Sequence, residues 1–228
     1  MGITYNPKVV TDGLVFCVDA ASKRSYPGTG TTWTDLAGGN NGTLTNGPTF
    51  SSANGGCLVF DGSDDYVLLG NDVNLGTSAS ITVWVKGLGN EGTVAGATSS
   101  TDGGYILGTT VSGISSYVRM YPDNDGVLDR ASISNSFTDI FAEWTHLSIS
   151  RDVLTVYLYV NGVANLMTTY NNSGTMATTG TRVKSIGARD TGSSPMEGQI
   201  ACLQLYNRAL TADEVRQNYN TTRGRFGL

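Results

Sequence analysis

Short runs of alternating apolar and polar residues recur along the 228-residue chain, separated by turns rich in Gly, Asn and Asp. An alternation with a period of two predicts strands that bury one face. The predicted strands are 14–19, 57–60, 66–69, 80–86, 105–110, 116–121, 126–133, 144–150, 153–160, 163–170, 182–186 and 199–206. About a dozen strands are typical of a two-sheet sandwich rather than a small barrel.

Two local signals are stronger than the rest. Asn161-Gly162 lies between two alternating runs and predicts a tight hairpin, because both of its residues tolerate positive φ. Near the C-terminus, Thr211 and Glu214 have the spacing of a capping box, which predicts a helix over 212–220. Leu210 and Val215 flank this cap as a hydrophobic staple.

Composition and charge exclude several function classes. Only 14% of residues are charged, the net charge is −5, and the 14 Lys and Arg residues are scattered singly. A nucleic-acid partner is not expected, because phosphate binding needs a basic stripe. No apolar run approaches the ~18 residues of a membrane span, so no membrane insertion is expected. The N-terminus lacks a signal-peptide pattern, which predicts synthesis in a cytoplasm.

The three cysteines, Cys17, Cys57 and Cys202, sit in apolar strand patterns. An odd number argues against a complete disulfide framework, and without a CxxC pair a zinc site is not expected. Three buried thiols are therefore the first interpretation. Cys17 and Cys202 lie on the first and last predicted strands, and their pairing stays open.

Several segments spread over the chain carry a family resemblance. They are Gly13-Leu14-Val15-Phe16 with Asp19, Trp33-Thr34-Asp35-Leu36 with Asn40-Asn41-Gly42-Thr43-Leu44, Phe60-Asp61-Gly62-Ser63-Asp64-Asp65-Tyr66-Val67, Trp144-Thr145-His146, Tyr159-Val160-Asn161-Gly162 and Leu205-Tyr206-Asn207-Arg208-Ala209-Leu210. Together they resemble laminin-G-like, concanavalin A-like jelly rolls. The resemblance implies an all-β fold of two antiparallel sheets packed as a sandwich, with one short C-terminal helix and neighbouring first and last strands. It also implies that residues 33–44 form a long loop.

A narrower resemblance lies at the two ends. The segments Val10-Thr11-Asp12-Gly13-Leu14-Val15-Phe16, Ser25-Tyr26-Pro27-Gly28, Gln217-Asn218-Tyr219-Asn220 and Gly224-Arg225-Phe226-Gly227 look like those of structural proteins of tailed bacteriophages. This resemblance implies a non-enzymatic virion protein, a capsid decoration or a tail- or fibre-associated subunit, that acts in assembly and in adhesion to host-surface glycan. Its partners would be other virion proteins and copies of itself. The alternative is a carbohydrate-binding lectin domain of a free or cell-surface protein.

The chain divides into three predicted parts: an N-terminal arm over 1–12, the jelly-roll domain over 13–220 and a C-terminal tail over 221–228. Both terminal segments lie outside the predicted core, and Gly224 and Gly227 predict an extended tail. Arg223, Arg225 and Phe226 offer charge and an aromatic anchor, so we expect them to dock onto a partner.

Catalysis is not expected. Retaining glycosidases place two carboxyl groups about 5–5.5 Å apart, but the glutamates at 91, 143, 197 and 214 are far from one another in sequence. Asp64 and Asp65 are adjacent, so on a strand they would point to opposite faces. His146 is the sole histidine and matches a structural Trp-x-His pattern of the family. No nucleophile elbow accompanies it.

Three tyrosines are candidates for a sugar-stacking platform, because a flat ring face suits the CH groups of a pyranose. Tyr105, Tyr117 and Tyr121 lie mid-chain, and Tyr117 and Tyr121 share strand parity. The alternative is that they are half-buried strand tyrosines.

No cofactor is expected, although a calcium ion is left open. Asp123 and Asp125 resemble part of a calcium loop, but Tyr121 and Ser132 occupy EF-hand positions that need oxygen ligands, and a hairpin turn explains the segment as well. The turn over 61–65 is a similar candidate. The family's last strand often reads Gly-x-Ile-Asp, whose acid can help to hold a structural calcium; here that position is Ala201.

Overall fold

A computed structural model describes residues 8–87, 91–96, 106–112, 115–119, 130–132, 142–152, 155–165, 168–170 and 181–228. In chain order the strands are β1 Leu14–Asp19, β2 Thr32–Trp33, β3 Gly42–Thr45, β4 Thr49–Ser51, β5 Cys57–Asp61, β6 Tyr66–Gly76, β7 Ala79–Lys86, β8 Glu91–Gly96, β9 Ile106–Ser112, β10 Ser115–Arg119, β11 Arg130–Ser132, β12 Thr145–Asp152, β13 Thr155–Val160, β14 Val163–Asn165, β15 Thr168–Tyr170, β16 Thr181–Ile186 and β17 Glu197–Tyr206. One α-helix, α1 (Ala212–Thr222), and two 3₁₀ helices, Ala53–Gly55 and Arg223–Phe226, complete the described elements.

The strands form two large antiparallel sheets. The eight-stranded sheet has the order β14-β13-β12-β7-β17-β5-β4, with β1 also paired to β17. The seven-stranded sheet has the order β10-β9-β8-β16-β6-β3-β2, and β11 pairs with β15 separately. The fold is therefore the two-sheet jelly-roll sandwich with one C-terminal helix that the sequence predicts.

The last strand, β17, lies inside the eight-stranded sheet. It pairs with β7 along one edge, and with both β1 and β5 along the other. Leu14 pairs with Tyr206 and Asp19 with Cys202, so the predicted contact between first and last strands is confirmed.

The main hydrophobic core lies between the two sheets. Val67 and Leu69 of β6 are buried while Leu68 between them is only half-buried, as a period of two requires. Each large apolar side chain that is fully buried stabilises the fold by about 1.5–3 kcal/mol. The largest members of this core include Phe16, Trp33, Leu58, Phe60, Leu75 and Ile81.

The long loop expected over 33–44 is partly wrong, because β2 and β3 lie within or overlap it. Residues Gly42–Thr45 pair with β6, and Thr32–Trp33 pair with β3. Two- to four-residue strands rich in Gly and Thr show too few alternations to be recognised. β3 is defined by its partner β6, more than twenty positions later in the chain, and β2 is defined in turn by β3.

Between β2 and β3 the backbone folds around one carboxylate. Asp35, which is buried, accepts hydrogen bonds from the backbone N–H groups of Cys17 at 2.8 Å, Ala37 at 2.9 Å, Gly38 at 2.9 Å and Asn40 at 3.0 Å. Four donors satisfy a buried charge, which explains the Trp-Thr-Asp-Leu segment as a structural feature.

The Asn-Gly hairpin is confirmed. Asn161 and Gly162 have φ of 51° and 75°, as the expected tight turn between β13 and β14 requires. The Asn161 side chain also accepts a hydrogen bond from the backbone N–H of His146 at 3.0 Å. The predicted strand 163–170 differs: β14 pairs with β13, whereas β15 pairs with β11.

The predicted capping box is confirmed, and the helix runs two residues further than expected. Thr211 Oγ1 accepts from the Glu214 backbone N–H at 3.3 Å, and Glu214 Oε2 accepts from that of Thr211 at 2.8 Å. Leu210 and Val215 are both buried in one cluster, as the staple predicts. In the part of the chain that the structure describes, no helix is long and apolar enough to cross a membrane.

Candidate functional site

The middle of the outer face of the eight-stranded sheet is covered by residues from both ends of the chain, whereas Tyr157 and Val163 on β13 and β14 are exposed. Strand β7 shows this directly, because seven of its eight residues are buried. Ile81, Val83 and Val85 belong to the core between the sheets. On the other side, Ser80 Oγ donates to the Arg208 carbonyl at 3.0 Å and accepts from the Leu210 N–H at 2.8 Å. A ligand therefore has no access to this part of the sheet.

Residues before β1 form part of this cover. Val10 is buried, and its N–H donates to Asn218 Oδ1 of α1 at 2.8 Å. Its carbonyl accepts from the hydroxyl of Tyr206 at 3.0 Å, and Asn218 Nδ2 donates to the same hydroxyl at 3.0 Å. The expectation that residues 1–12 lie outside the core is wrong for Val10, because strand β17 and helix α1 bury it. Residues 1–7 lie outside the described residues.

An aromatic cluster covers a second part of this face, around Trp84 and Trp144. Phe226 stacks on Trp84 with ring centroids 4.0 Å apart and lies 4.9 Å from Trp144. Tyr219 of α1 also packs on this cluster, with its ring centroid 5.8 Å from that of Trp84 and 5.6 Å from that of His146. The predicted extended tail is wrong: residues Arg223–Phe226 form a 3₁₀ helix, because the Phe226 ring packs on Trp84 rather than extending into solvent.

The three predicted docking residues have different surroundings. Arg225 pairs with Asp19 at 2.7 Å, and Phe226 is half-buried. Arg223 is exposed, with its guanidinium 5.7 Å from the Tyr219 ring centroid. A docking role for these residues stays a prediction, and Arg223 is the member most open to a partner.

All three cysteines are free thiols. Cys17 pairs in register with Gln204 and Cys202 with Asp19, so the two cysteines lie diagonally on adjacent strands rather than opposite each other. Cys57 and Cys202 are buried as expected, whereas Cys17 is half-buried. Burial raises the pKa of Cys17 to about 12 and also raises that of Cys202, which keeps both thiols protonated and unreactive.

His146 is unsuited to acid–base catalysis. Its side chain is 1% exposed, and burial lowers its pKa to about 3. The ring packs edge-on against Trp84 at 5.2 Å, and Nδ1 has no hydrogen-bond partner. The predicted structural position of His146 therefore agrees with its packing.

The glutamates with described side chains have local roles. Glu143 pairs with Lys86 at 3.1 Å, and Glu214 binds Arg208 at 2.6 Å while capping α1. Glu197 opens β17 opposite Asp61 and is exposed. In this part of the chain, no glutamate pair is arranged as the two carboxylates of a retaining glycosidase would be.

Three carboxylates meet at the turn between β5 and β6. Asp61, Asp64 and Asp65 have ligand oxygens all within 4.8 Å of one another. Asp65 is buried and its Oδ2 accepts from the Asp61 N–H at 3.0 Å, whereas the other two are exposed. Burial first, and then the neighbouring charges, raise the pKa of Asp65. The expectation that Asp64 and Asp65 point apart is wrong, because the turn removes strand parity.

This carboxylate group offers the oxygen ligands that calcium and magnesium take. Exposed acidic groups of this kind are also common without an ion. The other calcium candidates, Asp123 and Asp125, lie outside the described residues.

The outer face of the seven-stranded sheet is open in its β3–β6 part and closed at Ser185, which pairs with Leu68 and is buried. Thr43 and Asn74 are exposed and Leu68 is half-buried, in contrast to the buried outer face of β7. Ile186 of β16 is buried in the core and pairs with Ala95 of β8, which in turn pairs with Leu107 of β9. These three backbone positions therefore lie on the core side of the sheet.

Tyr117 lies on β10, the edge strand of this sheet. Leu107 is on the core side, so position 110, three residues later, lies on the outer side. Position 117 pairs with position 110 and therefore also lies on the outer side. Tyr105 and Tyr121, the other two predicted platform residues, lie outside the described residues, so the platform itself stays a prediction.

Comparison with known protein families gives one match. The Laminin_G_3 model, described as the concanavalin A-like lectin/glucanases superfamily, matches residues 61–216. No curated protein matches the chain in sequence.

Solved structures share the fold at low sequence identity. Domain 4 of AbnA, an extracellular GH43 arabinanase from Geobacillus stearothermophilus in complex with arabinotriose, has a TM-score of 0.65 and 19% identity over 92% of this chain and 100% of that one. The binding domain of botulinum neurotoxin serotype D has a TM-score of 0.66 and 13% identity over 92% of this chain. This chain spans only 52% of that domain's length.

A third similar structure is the Trypanosoma rangeli sialidase in complex with sialic acid. It has a TM-score of 0.61 and 15% identity over 97% of this chain and 36% of that one. At these identities the likeness shows a shared fold and does not identify a ligand of this chain.

Proposed function

Because the chain belongs to the Laminin_G_3 family of the concanavalin A-like lectin/glucanases superfamily, we propose that it is a non-enzymatic carbohydrate-binding module. Its ligand surface is the outer face of the seven-stranded sheet. One observation carries this assignment: the middle of the opposite sheet's outer face is covered by α1, by Val10 and by Phe226, whereas Thr43 and Asn74 of the seven-stranded sheet are exposed.

Tyr117 is the aromatic residue that we assign to this surface. Its backbone position lies on the outer side of edge strand β10, and aromatic rings bury large apolar areas at low entropic cost. The sugars bound in two similar structures, arabinotriose and sialic acid, define the first probes.

A glycan array with the purified protein, run with calcium and with chelator, tests this proposal. We expect binding to a defined sugar, and a loss of at least about tenfold in affinity in Tyr117→Ala, which corresponds to roughly 1.4 kcal/mol. Tyr157→Ala is the matched control, because Tyr157 is an exposed tyrosine on β13 of the other sheet. A blank array from a folded protein would overturn the proposal.

We further propose that the module is a structural subunit of a tailed-phage particle, on the capsid or the tail. The two end segments that resemble phage structural proteins pack against each other and are joined by hydrogen bonds. Gln217 Nε2 donates to the Lys8 carbonyl at 2.7 Å, and Val10 bonds to Asn218. Its partners would be other virion proteins and further copies of the chain.

Purified particles test this second proposal. Stoichiometric recovery of the chain in intact virions supports it, and chemical cross-linking from exposed Arg223 or Lys8 would identify the neighbouring protein. Recovery only in the free or cell-surface fraction would favour the lectin alternative.

A further inference from the structure

The guanidinium of Arg225 lies where three oxygens from two separate parts of the chain converge. Its Nη1 donates to Asp19 Oδ1 at 2.7 Å, its Nε donates to the Asn54 carbonyl at 2.5 Å, and its Nη2 donates to the Gly56 carbonyl. Both charged side chains are largely withdrawn from solvent, with 16% of Arg225 and 32% of Asp19 exposed. A positive charge therefore joins the end of β1 to the turn before β5.

The turn that supplies the carbonyls is held rigidly. Gly55 and Gly56 have φ of 81° and 141°, and a Cβ on Gly56 would lie 2.5 Å from the Ala20 carbonyl oxygen. Asn54 fixes the turn further: its Oδ1 accepts from Trp144 Nε1 at 2.9 Å and its Nδ2 donates to the Arg225 carbonyl at 3.3 Å. One carboxylate and two fixed carbonyls are the donors that hard metal cations take in proteins.

In the wild-type chain a calcium ion does not fit this place. The family position whose acid can help to hold calcium is Ala201, which brings no oxygen in its side chain and is buried against Trp84 and Cys202. Asp19, the nearby carboxylate, is already neutralised by Arg225. Ala201 itself is tied to the end of β1, because its carbonyl accepts from the Ala20 N–H at 2.9 Å.

We infer that Arg225 is a built-in replacement for a structural cation: its guanidinium performs the charge neutralisation and the cross-linking of β1 to the turn before β5. The inference does not depend on the proposed function. The segment that delivers Arg225 is anchored by the stacking of Phe226 on Trp84, whereas Gly224 and Gly227 on either side meet nothing within 4 Å of a Cβ position. The charge is thus placed by the stacking of Phe226 together with the hydrogen bond from Asn54 Nδ2 to the Arg225 carbonyl.

The test compares the thermal unfolding of Arg225→Ala with that of the wild-type chain, with chelator and with calcium at about 10 mM, which exceeds the Kd of weak oxygen sites. We expect the substitution to lower Tm by roughly 4–8 °C, because it leaves the partly buried Asp19 unpaired. Added calcium should restore part of this loss. It should raise the Tm of the variant by several degrees more than that of the wild type, since only the variant lacks the guanidinium that binds the oxygens of Asp19, Asn54 and Gly56.

Two further variants make the result specific. Arg223→Ala removes an exposed arginine two residues away and should respond to calcium as the wild type does. Arg225→Gln keeps a polar stem without the charge and should gain calcium sensitivity as Arg225→Ala does. The readout is the difference between variant and wild type in the Tm shift that calcium causes. The effect of any ion bound at Asp61, Asp64 and Asp65 is the same in both proteins and is therefore subtracted.

An equal calcium response in Arg225→Ala and wild type would overturn the inference, and so would an unchanged Tm on substitution. If Arg225→Ala does not fold, calcium should restore folding, and failure to do so also overturns it. Terbium luminescence sensitised by Trp84 or Trp144 should be stronger in Arg225→Ala than in Arg223→Ala, and equal signals would contradict the inference.

Discussion

Arg208 holds Glu214 with two parallel hydrogen bonds, Nη1 to Oε2 at 2.9 Å and Nη2 to Oε1 at 2.6 Å. Because Glu214 also closes the capping box with Thr211, one carboxylate joins the end of β17 to the start of α1. The Arg208 hydrogen bonds, above all, lower the pKa of Glu214 from 4.5 to about 2.

Glu214 should make the fold sensitive to acid in a defined window. Its folded-state pKa is depressed, so its contribution is present above about pH 4.5 and is lost as the pH falls towards 2. We expect Glu214→Gln to lose about 2 kcal/mol at pH 7 and much less at pH 2.5. Chemical denaturation at both pH values measures the difference. Asp213→Asn, at an 82% exposed side chain, should change stability by less than about 0.5 kcal/mol.

Because His146 is buried, we expect the stability of the fold to depend on pH in a second, higher range. Burial lowers its folded-state pKa from 6.5 to about 3, so the unfolded chain binds a proton that the folded chain does not. Stability should therefore fall as the pH drops from about 6.5 towards 3. We expect His146→Gln to flatten the Tm profile between pH 6.5 and 4. Parallel profiles for the two proteins would show that His146 does not titrate in this way.

Gly187 and Gly30 form a matched pair. Both have positive φ, 85° and 87°, but a Cβ on Gly187 would lie 2.4 Å from the Phe60 ring, whereas one on Gly30 meets nothing within 4 Å. Gly30→Ala should cost about 1 kcal/mol from backbone strain. Gly187→Ala should cost at least about 3 kcal/mol, because the buried ring must also move. Equal losses of unfolding free energy would contradict the contact at Phe60.

The stacking of Phe226 on Trp84 predicts that the C-terminus stabilises the domain. Phe226→Ala should cost about 2–3 kcal/mol, less than a fully buried Phe, because the ring is half-buried. Tryptophan emission should shift to the red as Trp84 and Trp144 gain solvent. Leu228→Ala, at a residue that is 47% exposed, should leave both Tm and emission unchanged.

Local patterns predict much of this fold. Alternation locates the long strands, and Thr211 with Glu214 locates the helix start, because each signal lies within a few residues of its effect. The strands Thr32–Trp33 and Thr49–Ser51 are too short to alternate. They exist because partners elsewhere in the chain, β3 and β5, supply their hydrogen bonds.

The candidate surfaces are less predictable, for the same reason. Gly224 and Gly227 make the tail look extended, while the ring that binds Phe226 belongs to Trp84, 142 positions earlier. The convergence of Asp61, Asp64 and Asp65 depends on the turn conformation rather than on strand parity. By contrast, the assignment of Tyr117 to the edge of the open sheet follows from a strand that the sequence already predicts.

The place of β17 constrains how the chain can reach its native state. Residues Glu197–Tyr206 pair with β7 on one side and with both β1 and β5 on the other. The eight-stranded sheet therefore lacks a central strand until these residues have been synthesised. The pairing of Leu14 with Tyr206 closes almost the whole chain into one loop, and such non-local contacts slow folding. During synthesis the earlier strands expose unpaired edges until residues Glu197–Tyr206 emerge, and such edges favour aggregation of the nascent chain.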